Sequence, residues 1–138
     1  MYLVDTNIWL ERLLEQARSE EVSQFLDRIP SERLFITDFA FHSIGVVLNR
    51  LNRIEALLRS VLDAFIDGAV VLIHLGPEDT QRLVRAIEQS NLDFDDAYQY
   101  VAAEKYNLTI VSFDSDFDRT ERGKKTPVEI LGESTSQA

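Results

Sequence analysis

Short apolar runs, each closed by a polar or acidic residue and separated by longer amphipathic stretches, limit most strongly how this chain can fold. Tyr2-Leu3-Val4 stops at Asp5, Leu34-Phe35-Ile36 gives way to Thr37-Asp38, and Leu108 to Ser112 leads into Asp114 and Asp116. Ala69 to Ile73 is apolar throughout, as a strand buried on both faces reads, and Val128 to Leu131 offers a short fifth strand. The intervening segments repeat apolar residues at helical spacing: Ile8, Leu10, Leu13 and Leu14 in 7–16, and Val22, Phe25, Leu26 and Ile29 ahead of Pro30. A third helix, capped by Thr37 or Asp38, turns Phe41, Ile44, Val47 and Leu48 inward as far as Leu51. Further helices are predicted over 54–66, 77–87 and 95–106. Strands alternating with helices predict a three-layer α/β/α domain around a mostly parallel sheet of about five strands. One domain over 1–131 accommodates the pattern, and the closing GESTSQA, 132–138, reads as a flexible tail.

Charge and composition exclude several classes of function. The 138 residues carry 24 acids against 14 lysines and arginines, a formal charge of −10. A passive duplex binder needs a basic surface to displace condensed counterions, so polyphosphate is repelled here unless cations gather where the acids cluster. Without cysteine, disulfides and thiolate metal sites are impossible, which fits a reducing cytosol. No apolar run approaches the roughly 20 residues of a membrane span, and Met-Tyr-Leu-Val-Asp lacks the basic start of a signal peptide. The expectation is a cytoplasmic protein without membrane contact.

In a parallel α/β sheet, binding sites lie beyond the carboxyl ends of the strands. Asp5 follows the first strand, Asp114 and Asp116 follow the fourth, and Asp93-Phe94-Asp95-Asp96 opens a helix. Taken singly, each is a turn residue, a cap, or an acid favoured by the helix dipole. Taken together, Asp5, Asp96, Asp114 and Asp116 converge on one edge of the sheet, where like charges are costly unless a cation neutralises them or one takes a proton. Magnesium prefers such hard oxygen ligands, and it can activate water and offset charge on a phosphate in flight. Metal-assisted phosphodiester hydrolysis therefore fits the pattern.

The segments LVDTNIWLE and DDAYQYVAAEKYNLTIVSFDSDF, with the distance between them, resemble the PIN domain family, and within it the VapC-type toxin branch. The resemblance spans Tyr2 to about Leu131. It implies RNA cleavage dependent on Mg2+ or Mn2+, a cognate antitoxin and a homodimer. By motif matching, Asp5, Asp96 and Asp114 are the metal-binding catalytic acids, Asp116 is the supplementary one, and Asn7 and Ser112 are supporting polar positions. One family position departs. The usual Glu on the helix after the second strand falls at about Ser43, and no Glu occurs between Glu32 and Glu55; Asp38 and His42 are the nearest substitutes.

That departure keeps a second function in play, a PIN-like binding or assembly module with weak or no catalysis. Two other phosphate chemistries fail on residue order. A haloacid-dehalogenase-type phosphatase wants Asp-x-Asp where this chain has Asp5-Thr6-Asn7, and a receiver domain wants a phosphorylatable Asp where this chain has Ile73-His74-Leu75. The aromatic residues Trp9, Tyr98, Tyr100 and Tyr106 have helical spacing that suits core packing as well as base stacking. His74 reads as structural. Lys124-Lys125, with Arg119 and Arg122, is the compact basic patch, and it reads either as a contact for an RNA backbone or as a solvated loop.

Overall fold

The computed structural model describes residues 1–136. Four parallel strands, β1 (Tyr2–Val4), β2 (Leu34–Thr37), β3 (Val71–Ile73) and β4 (Thr109–Val111), form one sheet in the order β3-β2-β1-β4. The helices are α1 (Thr6–Leu13), α2 (Ser19–Arg28), α3 (Asp38–Arg50), α4 (Ile54–Val61), α5 (Thr80–Ser90), α6 (Phe94–Tyr106) and α7 (Pro127–Ser136). Strand alternation sends consecutive side chains to opposite faces. Leu3 and Ile110 therefore pack with Leu83, Tyr100 and Val101 under α5 and α6. Val4 and Val111 pack with Trp9, Phe25, Leu48 and Ile130 under α1, α2, α3 and α7. These two cores make the three layers expected from the sequence.

The sheet has four strands rather than about five, because Val128 to Leu131 lies inside α7. Thr126 and Glu129 form a reciprocal capping box there: the Glu129 amide donates to the Thr126 hydroxyl, and Glu129 Oε1 accepts from the Thr126 amide at 3.2 Å. Pro127 fits the first helical position. A short apolar run is ambiguous by periodicity alone, and this cap decides it. Where a fifth strand would lie, only Lys125 pairs with β4, its amide on Ile110 O at 2.8 Å and its carbonyl accepting from Ser112 N at 3.0 Å. α7 continues through Ser136, past the start of the expected tail, and residues 137–138 lie outside the described residues.

The third strand is also corrected. It is an edge strand of Val71–Ile73 rather than one buried on both faces, and Val71 and Leu72 are exposed. The predicted helix over 54–66 remains α-helical only to Val61, after which the chain widens into i→i+5 turns through Asp67. Gly68 closes them, its amide bonded to Asp63 O at 2.9 Å, with backbone so close that an added Cβ would stand 2.7 Å from Ala64 O. Ile54, Leu58, Leu62 and Ile66 form an exposed apolar row along this segment.

Candidate active site

β1 delivers Asp5 to the carboxyl edge of the sheet, where its amide bonds to Val111 O at 3.0 Å and ties the ends of β1 and β4 together. Asp5 is the N-cap of α1 and is buried, yet its carboxylate meets only donors. Oδ1 accepts from the Thr6 amide at 2.8 Å and from Gln99 Nε2 at 2.9 Å; Oδ2 accepts from the Ser112 hydroxyl at 2.7 Å. Ser112 is steadied in turn by Asn7 Nδ2 at 3.1 Å and by the Asp114 amide at 3.0 Å. Asn7 Oδ1 takes the Phe113 amide at 3.3 Å. The two polar positions expected to support the site thus link the loops after β1 and β4.

Asp114 caps the 3-10 turn Ser115–Arg119 by accepting from the Asp116 amide at 2.9 Å, and Phe117 anchors that turn in the core. Asp93 caps α6 through the Asp96 amide at 2.8 Å and places Asp96 in the first helical turn. One carboxylate oxygen from each of Asp96, Asp114 and Asp116 lies within 4.8 Å of the others. Asp5 stands beside this group of three rather than within it. With Asp96, Asp114, Phe39, Ser43 and Gln99 it lines an open pocket of about 280 Å³. Asp116 also pairs with Arg119 at 3.0 Å, while Arg119 Nη2 and Nε bond to the carbonyls of Asn91 and Ser90 and staple the turn to the α5–α6 connection.

Burial and neighbouring charge act on two of the acids. Burial, then the charges of Asp114, Asp93, Asp5 and Asp116, push Asp96 up to about 7. Burial also raises Asp5, opposed by the hydrogen bonds from Gln99, Ser112 and Thr6. A larger hollow of about 530 Å³ lies between α1, α2 and α4, but its acids Glu15, Asp27 and Asp63 are exposed and do not converge. Asp96 and Asp114, two of the converging acids, line the smaller pocket with Asp5. The converging group of Asp96, Asp114 and Asp116 offers only carboxylate oxygens, which matches the hard-ligand preference of Mg2+ and Mn2+.

The remaining candidates separate clearly. Ser43 faces the acidic pocket at the position counted for the usual Glu. Asp38 does not line the pocket; it accepts from the Tyr98 hydroxyl and from the Phe39 amide, both at 2.8 Å. His42 and His74 are exposed and also lie outside the pocket lining. Trp9 and Tyr100 are core residues, and Tyr98 sits between the rings of Phe39 and Phe94. Lys124 pairs with Asp118 at 3.0 Å, Lys125 with Glu133, and Arg122 donates to Asn107 and Leu108, so the basic patch is engaged within the chain. Thr37 is the N-cap of α3 that the sequence offered, but its second role and Gln99 were not anticipated: both are buried and joined by a 2.6 Å bond from the Thr37 hydroxyl to Gln99 Oε1. The available signal was a lone carboxamide in the apolar face of α6, between Tyr98 and Tyr100.

No curated protein matches the chain. Among solved structures, a toxin–antitoxin complex from Klebsiella pneumoniae aligns with a TM-score of 0.72 at 22% identity, covering 92% of this chain and 98% of that one. VapC20 from Mycobacterium tuberculosis, described as a sarcin-ricin loop cleaving toxin, aligns with a TM-score of 0.72 at 17% identity, covering 86% and 93%. FitAcB from Neisseria gonorrhoeae gives 0.72 at 20% identity, covering 93% and 99%. The sequence profile of the PIN domain matches residues 2–123, a span that holds β1 through β4 and all four edge acids. The chain belongs to the PIN domain family.

Proposed function

We propose that this protein is a metal-dependent ribonuclease that hydrolyses RNA phosphodiester bonds as the cytoplasmic toxin of a toxin–antitoxin pair. One observation carries the reading: oxygens of Asp96, Asp114 and Asp116 gather within 4.8 Å beside a buried, donor-ringed Asp5. Family membership supports it, as do the fold neighbours named for toxin–antitoxin complexes. Asp96, Asp114 and Asp116 would hold Mg2+ or Mn2+, with Asp5 as a further ligand fixed by its hydrogen bonds. A divalent cation bound there supplies Lewis acidity toward phosphate and lowers the pKa of water. The residues' own part is to concentrate negative charge that a bound cation relieves, which allows a protein of charge −10 to accept a polyanion. Without a cation, burial and the neighbouring charges push Asp96 up to about 7, so it is partly protonated near neutral pH.

The test is Mn2+-dependent cleavage of RNA by purified protein and by Asp96→Asn. Loss of cleavage by orders of magnitude in a folded variant is expected; equal cleavage refutes the assignment. One observation favours the alternative of a PIN-like binding module, namely Ser43 in the pocket where the family usually brings a Glu. That reading predicts weak Mn2+ binding or none, and little or no cleavage. For assembly, we propose an antitoxin partner and a homodimer. The exposed row Ile54, Leu58, Leu62 and Ile66 supports association with another protein surface, since exposed apolar patches mark such contacts. Sedimentation of the isolated chain distinguishes monomer from dimer.

A further inference from the structure

We propose that Gln99, oriented by Thr37, is a positioning residue that restricts Asp5 to one-oxygen ligation through Oδ2 and so biases the site toward small octahedral cations over Ca2+. The inference rests on the metal-site reading above. It starts from the direction of a buried hydrogen-bond chain. Thr37 is the N-cap of α3 and its hydroxyl oxygen accepts from the Ala40 amide at 3.0 Å. Its own proton goes to Gln99 Oε1 at 2.6 Å. The carboxamide is thereby fixed in orientation, and the group presented to Asp5 is Nε2, which only donates. Thr37 and Gln99 are at most 1% exposed, so no bulk water competes for these bonds.

A carboxylate offers about four lone-pair sites, two on each oxygen. Thr6 and Gln99 occupy both on Oδ1, and Ser112 occupies one on Oδ2. One site remains, on Oδ2. A carboxylate held in this way ligates through a single oxygen, which suits the octahedral shells of Mg2+ and Mn2+, whereas Ca2+ also accepts bidentate carboxylates in larger, more flexible shells. Replacing Gln99 frees a site on Oδ1 and releases the carboxylate to turn. The chain of contacts joins the start of α3, the middle of α6 and the end of β1, so two residues remote in sequence from Asp5 set how it binds.

The experiment titrates Mn2+ and Ca2+ separately by calorimetry into the unaltered protein, Gln99→Leu, Thr37→Val and Thr37→Ser, with thermal unfolding of each as the check on folding. Gln99→Leu and Thr37→Val are expected to lose about tenfold to a hundredfold in Mn2+ affinity, the usual effect of losing a partner that orients a ligand. Their Ca2+ affinity should fall less, so the Mn2+/Ca2+ ratio drops, while Thr37→Ser keeps the hydroxyl and the ratio. A folded Gln99→Leu with unchanged affinities and ratio overturns the proposal while leaving the metal-site reading intact. If the unaltered protein binds neither cation, the metal-site reading fails and cation selection by Gln99 fails with it. The crystal structure of Gln99→Leu tests the orientation directly: a rotated Asp5 carboxylate supports it, and one in its original position overturns it.

Discussion

Neutralising Asp96 should stabilise the metal-free protein at neutral pH, although the same change is expected to abolish cleavage. Burial and then the neighbouring carboxylates raise its pKa from 3.8 to about 7, so between those values the folded state binds more protons than the unfolded state. Stability then falls as pH rises through the window from about 4 to 7, the opposite of a salt-bridged acid. Three units at 1.36 kcal/mol each give roughly 4 kcal/mol as an upper bound. Asp96 is only partly buried and counterions screen it, which lowers the penalty on its charge, from desolvation and repulsion together, to about 1–2 kcal/mol. An Asn in the first turn of α6 also forfeits 0.3–1 kcal/mol of favourable dipole interaction. The net for Asp96→Asn is a gain of about 1 kcal/mol at pH 8, or about 3–4 °C in Tm for a domain of this size. Thermal unfolding without divalent cations, at pH 5 and at pH 8, measures it. The unaltered protein should lose stability between the two, and Asp96→Asn should lose less. An Asp96→Asn protein that melts no higher than the original at pH 8 refutes the repulsion argument.

Asp5→Asn keeps an amide oxygen for Thr6 and Gln99 but turns Nδ2 onto the Ser112 hydroxyl that Oδ2 accepted from, so the variant should fold with some loss of stability, and saturable Mn2+ binding should disappear; retained binding in calorimetry removes Asp5 from the site. Gly68→Ala drives a methyl against the carbonyls of Ala64 and Asp63 and should cost about 1–3 kcal/mol in urea unfolding, the usual range for overpacking, with no effect on cation binding. Asp79 is held below the usual carboxylate range by the Gly76 amide and by Lys105 Nζ at 2.9 Å, so its contribution is present above about pH 4 and lost as pH falls. Lys105→Met should flatten that acid limb of the stability profile, and an unchanged limb argues that the pair contributes nothing.

The layers of the fold were legible in the residues alone, and so was the edge of the sheet at which the acids gather. Apolar runs of three to five residues closed by Asp5, Asp38 or Asp114 read correctly because strand alternation and helical spacing are local properties of the chain. The PIN resemblance was legible for the same reason, since its motifs lie in two continuous segments. Tertiary structure decided what depends on neighbours distant in sequence. Val71 and Leu72 became exposed because the strand order placed β3 at an edge, which no property of that segment reveals. Val128 to Leu131 turned helical through a cap at Thr126 and packing of Ile130 and Leu131 against the sheet. The closeness of Asp96, Asp114 and Asp116, and the pKa it imposes on Asp96, come from bringing a helix start against a strand end. Gln99 shows the division most plainly: in sequence it is a misplaced amide in an apolar face, and only folding supplies Thr37 on one side and Asp5 on the other. Local pattern fixes which elements form, whereas hydrogen-bond partners and electrostatic neighbours exist only once those elements meet.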